Sequence, residues 1–176
     1  MNKIQSVRGT KDIFPAEMKK YNNIINKAKF ISELYGFEEG VFPIIEKSDV
    51  FTRPLGESSD VVSKETYTFA DRGDDRITLR PEGTAGIMRS VLSQGKLNEL
   101  PIKLFYSGPM FRYERPQKGR LRQFIQIGIE SIGSSNAIED VEVIQCGVSF
   151  LNKIGVLKSC VLNINSLGDS ESRNLY

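Results

Sequence analysis

The chain has 176 residues, of which 39% are hydrophobic and 26% are charged, a composition typical of a globular domain. Its formal net charge of +2 is too small to indicate nucleic-acid binding by itself. The chain contains no histidine, which excludes imidazole-based catalysis and histidine metal ligation by its own side chains.

The cysteines and the hydropathy pattern indicate the compartment. Cys146 and Cys160 have neither the spacing of metal ligands nor that of a disulfide framework, so we expect a reducing environment. No apolar run approaches the ~18 residues of a membrane span, and the N-terminus lacks a signal-peptide pattern. We therefore expect a cytoplasmic protein without a membrane partner, folded as one domain over residues 1–176.

The first third of the chain predicts an arm and a long helix. Residues 1–14 have no helical period, and Arg8-Gly9-Thr10 is typical of a turn or short strand. Apolar residues then recur at steps of three and four over 15–35, with a proline at the first turn and a glycine directly after the end. Ser48 is a candidate cap for a short helix over 49–56.

A second group of signals surrounds the sequence RPEGT at 80–84. A hairpin is predicted from strands at 67–69 and 76–79, and a helix from 84 to 94. RPEGT is then a strand-to-helix junction, where the Glu82 carboxylate and the Thr84 hydroxyl suit a ligand ammonium group. The alternative is that Glu82 only stabilises the positive end of the helix.

The most informative stretch is a hairpin over 104–130, in which alternate side chains face opposite sides. On the second arm one side carries three isoleucines and is predicted to be core. The other side offers an aromatic ring, an amide, a gap and a carboxylate, which together suit a floor for a small ligand. These floor residues are Phe124, Gln126, Gly128 and Glu130.

The first arm and the connecting loop add charge to this hairpin. Arg112 and Glu114 share one face by the same alternation. The loop RPQKGRLR (115–122) holds four cations and no acid, so it can bind polyphosphate or a nucleic-acid backbone. The alternative is an ordinary half-buried hairpin with a solvated basic loop.

The last part of the chain predicts a helix over 137–151, a strand over 160–168 and the start of a helix at 169. Asn136 is a plausible cap for the first of these helices, and Gly155 lies beyond its end. Its acids at 139, 140 and 142 are interpreted as a solvated face and not as a metal site. The predicted fold class is α+β, a mostly antiparallel sheet with helices 15–35, 84–94 and 137–151 against it.

Three stretches resemble one family. FRYERPQKGRLRQFIQIGIE (111–130) is similar to motif 2 of the class II aminoacyl-tRNA synthetases, in the form found in the histidyl-tRNA synthetases. TLRPEGTAG (78–86) and IQSVRGTKDIFP (4–15) are similar to the same family. Helix 15–35 with segment 37–46 resembles its motif 1, which forms the dimer interface. Ile125 departs from the family, which commonly has histidine there, but alternation assigns it to the core side.

The resemblance implies a histidine–tRNA ligase, which joins histidine to ATP, with Mg2+ expected, and passes the acyl group to tRNA(His). Such chemistry needs no protein nucleophile, because it depends on positioning and charge neutralisation. Glu130 would accept an imidazole N–H and thereby select histidine. The residues implied to hold the α-amino group are Glu82, Thr84 and Gln126.

The resemblance also implies an ATP site and a tRNA contact. Arg112 would contact the substrate carboxylate and the α-phosphate, as the catalytic residue. Glu114 would meet the adenine amino group, and Phe124 would stack on the adenine ring. The loop candidates for ATP phosphates and the tRNA acceptor end are Arg115, Gln117, Arg120 and Arg122. No residue of the chain is expected to ligate a metal. A homodimer is expected to form through motif 1.

The family's motif 3, its second histidine-specific motif and its anticodon-binding domain would lie beyond Tyr176. We therefore expect weak or no catalysis from this chain alone, and measurable single-turnover aminoacylation would contradict that. One alternative is a histidine-sensing accessory subunit of ATP phosphoribosyltransferase, which would need Gln126 and Glu130 but not Arg112 with Glu114. A bare dimerisation or RNA-binding module would explain the basic loop but not the floor.

Overall fold

The computed structural model describes residues 3–55, 65–115 and 117–165. The α+β class predicted from the sequence is confirmed. Over the described residues, no helix is both long and apolar enough to cross a membrane. The elements are α1 (Pro15–Leu34), β1 (Glu38–Glu39), β2 (Ile45–Lys47), α2 (Asp49–Leu55), β3 (Tyr67–Ala70), β4 (Arg76–Leu79), α3 (Thr84–Ser93), β5 (Ile102–Phe111), β6 (Gln123–Ile132) and α4 (Ala137–Lys153), with 3-10 helices at Lys96–Glu99 and Leu157–Ser159.

The helix boundaries follow local chemistry. α1 begins at Pro15, and the chain leaves it through Gly36 at φ 79°, a left-handed conformation that favours glycine. The Asn136 side chain accepts a hydrogen bond of 3.1 Å from the backbone N–H of Ile138 and so caps α4 as predicted. Ser48 precedes α2, but its hydroxyl bonds to that of Thr78 at 2.9 Å instead of capping the helix.

Over the described residues, the single sheet that was predicted is divided into two sheets of three strands. One has the order β1-β5-β6, with β1 parallel to β5 and β5 antiparallel to β6. The other is antiparallel with the order β2-β4-β3. The backbone of Arg80 connects them, because its N–H donates to Ile44 at 2.9 Å and its carbonyl accepts from Phe111 at 3.0 Å.

The Arg80 side chain reinforces the same junction. The residue is 8% exposed, and its guanidinium donates to the carbonyls of Pro109 and Phe42, each at 2.9 Å. Burial lowers its pKa. A Cβ on Gly108 would lie 2.4 Å from the Arg80 Nη2 atom, so the bare backbone there leaves room for the guanidinium. The two sheets are therefore joined by a buried cation bonded to backbone oxygens.

Each face of the β5-β6 hairpin carries its own core. On one side Phe105 packs with helices α1 and α4, and Ile127 and Ile129 lie against this cluster as alternation predicts. On the other side Tyr106 and Met110 pack against Ile87 of α3. The hairpin is thus sandwiched between helices, and the predicted ligand face is in part a second core.

The strand predicted over 160–168 does not form over its described part, residues 160–165. The alternation of apolar residues there is real, but Val161 and Ile164 are 82% and 77% exposed. A strand needs a neighbour for its backbone hydrogen bonds, and no strand pairing is assigned within 160–165. Residues 166–168, the predicted helix start at 169 and Gly56 at the end of the predicted short helix lie outside the described residues.

Candidate active site

The N-terminus of α3 is built on Glu82. Its carboxylate accepts hydrogen bonds from the backbone N–H groups of Thr84 at 2.5 Å and Ala85 at 2.9 Å. These are donors that the first turn of a helix leaves without internal partners, and a carboxylate there also suits the helix dipole. The structural role considered for Glu82 is therefore present, and it holds the acid rigidly at the strand-to-helix junction.

Thr84 connects this junction to strand β6. Its hydroxyl donates to the Glu130 carboxylate at 2.6 Å. Burial raises the pKa of Glu130, the Thr84 hydrogen bond lowers it, and the Glu82 charge raises it. Thr84 and Glu130, which are 46 residues apart in the sequence, thus meet beside Glu82. The two carboxylates favour a ligand with an N–H donor or an ammonium group at this place.

Gln126 lies four residues before Glu130 along the same face of β6. Its side-chain oxygen is buried and has no hydrogen-bond partner among the described residues. A buried acceptor without a donor costs about 1–3 kcal/mol. This atom is therefore a good acceptor for a ligand N–H group.

The gap that Gly128 was predicted to leave for a ligand is filled by the protein itself. Tyr106 is opposite Gly128 in the hairpin register and only 5% exposed. A Cβ on Gly128 would lie 2.4 Å from Cζ of Tyr106, and one on Gly83 would lie 2.3 Å from the same atom. Tyr106 was not among the residues predicted for the site. The signal was available, since an aromatic residue across from a strand glycine commonly covers it.

A second cluster surrounds a cavity of about 370 Å3 at the base of the hairpin loop. Arg112, Glu114, Arg120 and Phe124, all predicted to bind ATP, line it. Ile125, assigned to the core side by alternation, borders it as well. The sequence prediction thus brought together four residues that the fold also places around one cavity.

Arg112 connects the two clusters. Its Nε atom donates to the Pro81 carbonyl at 2.9 Å, directly before Glu82. Its guanidinium lies 5.2 Å from the Phe124 ring centroid and 3.8 Å from a Glu114 oxygen. Glu114 also pairs with Arg120 at 3.3 Å. The arginine is thereby held between the acidic junction and the aromatic cavity, where positive charge can face both.

Arg122 differs from the other loop cations. It is held at the loop base by the N-terminal arm, with its N–H donating to the Gly9 carbonyl at 2.7 Å. Its side chain donates to the Glu114 carbonyl at 3.1 Å and lies 4.0 Å from the Tyr113 ring centroid. Gly9 has φ 85°, and a Cβ there would lie 2.7 Å from Cγ of Arg122. The N-terminal arm therefore packs on the body of the domain at the loop base.

The tip of the loop is exposed. Gln117 and Arg120 form a bridge across a tight turn, with Gly119 at φ 83°. Arg115 and Gln117 are also exposed. These side chains are accessible to a large polyanion, whereas the side chain of Arg122 is already bonded to the protein.

A larger groove of about 840 Å3 runs between α2 and α3. Glu82 and Thr84 line it together with Met88 and Leu92 of α3. The ion pair of Glu46 with Arg89 also borders it. Over the described ranges, no group of three or more acidic or cysteine side chains is arranged to hold a metal ion.

Comparison with known proteins identifies the family. The model of the histidyl-tRNA synthetase family matches residues 9–168. The histidine–tRNA ligase of Rhodospirillum rubrum is 52% identical over 176 residues, all of this chain and 42% of that protein. That of Rickettsia bellii is 49% identical over 175 residues, 99% of this chain and 42% of that protein. The chain therefore spans about two fifths of the length of these curated relatives.

Solved structures show the same fold. The apo histidyl-tRNA synthetase of S. aureus is 39% identical, with a TM-score of 0.73 over 87% of this chain and 35% of that one. A protein from Bacillus halodurans described as an ATP phosphoribosyltransferase regulatory subunit/histidyl-tRNA synthetase is 27% identical. Its TM-score is 0.74 over 86% of this chain and 38% of that one.

Proposed function

Since the chain belongs to the histidyl-tRNA synthetase family, we propose that it takes part in histidine–tRNA ligation. A carboxylate oxygen of histidine attacks the α-phosphorus of ATP and pyrophosphate leaves; a hydroxyl at the 3′ end of tRNA(His) then takes the histidyl group, and AMP leaves. One observation carries the proposal: the Arg112 hydrogen bond to Pro81 joins the Glu82, Thr84 and Glu130 cluster to the cavity at the loop base.

The acidic cluster is proposed to bind histidine. Glu130, already half-buried and oriented by Thr84, would accept the imidazole N–H. An amino acid without that donor would leave Glu130 with the Thr84 hydrogen bond but without the imidazole N–H, which is the physical basis of selection. The α-amino group would reach Glu82 and the Gln126 oxygen, which lacks a donor among the described residues.

The cavity at the loop base is proposed to bind ATP. The attack brings the substrate carboxylate against the α-phosphate, and both are anions. Arg112 lies where a fixed positive charge lowers that repulsion in the transition state. Phe124 would stack on adenine and Glu114 would accept from its amino group, while Arg120 would contact the phosphates.

Mg2+ is expected to accompany ATP. It usually retains several waters and is held by one or two carboxylates plus substrate phosphates. Glu114, the carboxylate that lines the cavity at the loop base, is assigned to the adenine amino group, so the metal would be carried by the ATP phosphates and its own waters. The metal would neutralise phosphate charge, and the protein residues named here would orient the two substrates.

The loop and α1 are proposed to meet macromolecules. Arg115 and Gln117, exposed near the hairpin tip, would contact the tRNA acceptor end, and Arg122 would shape the loop base beside it. A cytoplasmic homodimer is proposed through motif 1. In support, Phe30 and Leu34 of α1 are 49% and 66% exposed, and such apolar exposure favours burial in an interface.

A histidine-sensing accessory subunit is the second candidate, and the name of the Bacillus halodurans relative includes such a role. It would need the histidine cluster but not the nucleotide cavity. The grouping of Arg112, Glu114, Arg120 and Phe124 around one cavity favours the ligase.

Calorimetric titration with two ligands tests the proposal. Glu130→Ala should weaken binding of a non-hydrolysable histidyl-adenylate mimic roughly tenfold to a hundredfold, because a charge-assisted hydrogen bond is lost, and should leave ATP binding unchanged. Glu114→Ala should weaken both ligands, because both carry adenine. Glu99→Gln, an exposed acid paired with Lys96, is the control and should change neither.

The pattern of losses decides between the candidates. Mimic binding that is indifferent to Glu130 would remove the specificity assignment. Histidine binding without any ATP binding would favour the accessory subunit. A folded chain that binds neither ligand would contradict the proposed function for these residues.

A further inference from the structure

Glu114 is shared by two cations at the base of the hairpin loop. Its Oε1 atom lies 3.8 Å from Nη1 of Arg112, and its Oε2 atom accepts a hydrogen bond of 3.3 Å from Nη1 of Arg120. Its side chain is 15% exposed, so little of the carboxylate is open to solvent. A ligand donor that reaches Glu114 therefore competes with arginines of the chain itself.

The two arginines are held very differently. Arg112 is fixed, because its Nε atom donates to the Pro81 carbonyl at 2.9 Å and its guanidinium lies 5.2 Å from the centroid of the Phe124 ring. The Arg120 side chain is 64% exposed, and among the described residues its hydrogen-bond partner is Glu114 alone. An exposed ion pair is weak, since solvent screens it and holding it costs side-chain entropy. Arg120 is therefore the partner that can leave Glu114.

ATP and adenosine differ in what they offer Arg120 in return. In the proposed function Glu114 accepts from the adenine amino group, and Arg120 contacts the phosphates. An amino group and a guanidinium are both donors, so they compete for the Glu114 oxygens. Phosphate oxygens are strong acceptors for arginine, which can bind them through two parallel hydrogen bonds. ATP thus brings a new partner for Arg120, whereas bare adenosine displaces it into water.

We propose that Arg120 makes this cavity selective for nucleotides that carry a phosphate chain: it pairs with Glu114 in the free chain and exchanges that carboxylate for phosphate oxygens when ATP binds. The inference rests on the proposed function, which assigns adenine to Glu114 and phosphates to Arg120. It goes further, because the same arginine opposes a nucleoside without phosphate. Arg120 is thus a specificity-determining residue, which lowers the affinity for adenosine and raises the affinity for ATP.

Arg120→Gln, titrated calorimetrically with adenosine and with ATP plus Mg2+, tests the exchange. Adenosine should bind the variant about twofold to fivefold more tightly than wild type, because no exposed ion pair has to break. ATP should bind roughly tenfold more weakly, because a charge-assisted hydrogen bond to phosphate is lost. Arg53→Gln is the matched control: it removes an arginine from another exposed pair, with Asp49 at 3.1 Å on α2, and should change neither affinity.

The directions of the two changes decide the outcome. The proposal requires tighter adenosine binding together with weaker ATP binding, and any other pair of results for a chain that binds ATP overturns it. Unchanged adenosine affinity with weaker ATP binding would assign Arg120 to phosphate alone. Weaker binding of both ligands would mean that Arg120 only supports the loop. A folded chain that binds neither ligand would reject the proposed function, and the exchange with it.

Salt dependence gives a second test, which wild type alone can answer if Arg120→Gln fails to fold. Raising NaCl from about 0.05 M to about 0.3 M screens an exposed ion pair. The affinity for adenosine, which carries no charge, should therefore rise about twofold, while the affinity for ATP falls. Adenosine affinity that stays constant or falls with salt overturns the proposal. In Arg120→Gln, the adenosine affinity should not depend on salt.

Discussion

Replacing Gly128 with alanine provides a direct test of how the site is packed. The new Cβ would lie 2.4 Å from both Cζ and the hydroxyl oxygen of Tyr106, more than 1 Å closer than an ordinary carbon contact of ~3.5–4.0 Å. The ring cannot move aside freely, because its other edge already meets Gly83. Overpacking of this kind typically costs about 1–3 kcal/mol, and the confined ring indicates the upper half of that range.

Urea unfolding followed by circular dichroism measures this cost. With a slope of about 1–3 kcal/mol per M, the midpoint of Gly128→Ala should fall by roughly 1 M. Gly147→Ala is the control, because it lies within α4 with nothing within 4 Å of its new Cβ, and it should gain about 0.5–1 kcal/mol. In a Tyr106→Leu background the cost of Gly128→Ala should shrink. Equal or higher stability of Gly128→Ala in the wild-type background would refute the packing argument.

Three further predictions concern charge. Glu46→Gln should lower the free energy of unfolding by about 1.5–3 kcal/mol, because Glu46 is 8% exposed and accepts two hydrogen bonds from Arg89. Asp49→Asn is the control, because its ion pair is exposed, and it should change the free energy of unfolding little. Equal effects of the two variants would contradict the burial argument. Burial raises the pKa of Glu130 above 4.5, so the folded chain binds that proton more tightly and wild-type stability falls as pH rises through this window. Glu130→Gln should remove this loss of stability with rising pH. If the free energy of unfolding of wild type and variant changes equally between about pH 4 and pH 7, the prediction is wrong. The pKa of Tyr106 is raised from 10.0 to about 12, so stability is lost as pH rises from 10 towards 12; unfolding of Tyr106→Phe should lack this component, and an unchanged alkaline profile would exclude it.

Local patterns predicted the elements well, because their causes are local. Helical periodicity located α1, α3 and α4 to within two residues at each end, and Asn136 caps α4 as expected. Strand alternation placed Ile127 and Ile129 on the core side of the hairpin. Arg112, Glu114, Arg120 and Phe124 were expected near one ligand, and they line one cavity.

The predictions that were wrong concern residues whose partners are distant in the sequence. Gly128 was interpreted as open space, but Tyr106 fills it from another strand. Two sheets replace one among the described residues, and they meet at Arg80, whose backbone and side-chain contacts no periodicity records. A strand pattern at 160–165 was real in composition but had no pairing strand among the described residues. Alternation tells which face a side chain takes, and only the tertiary fold tells what already occupies that face.

The anchoring of the hairpin loop has an entropic consequence. Arg112 donates to the Arg122 carbonyl at 2.9 Å, and Arg122 donates to Gly9 at 2.7 Å, so both ends of the loop are held before any ligand arrives. Ordering one residue's backbone costs roughly 1–2 kcal/mol, and that loss is subtracted from affinity. Because both ends are already fixed, only the residues between Arg112 and Arg122 would lose conformational freedom when a ligand binds. The N-terminal arm, which holds the loop base through Arg122, thus lowers the ordering cost of ligand capture by the loop.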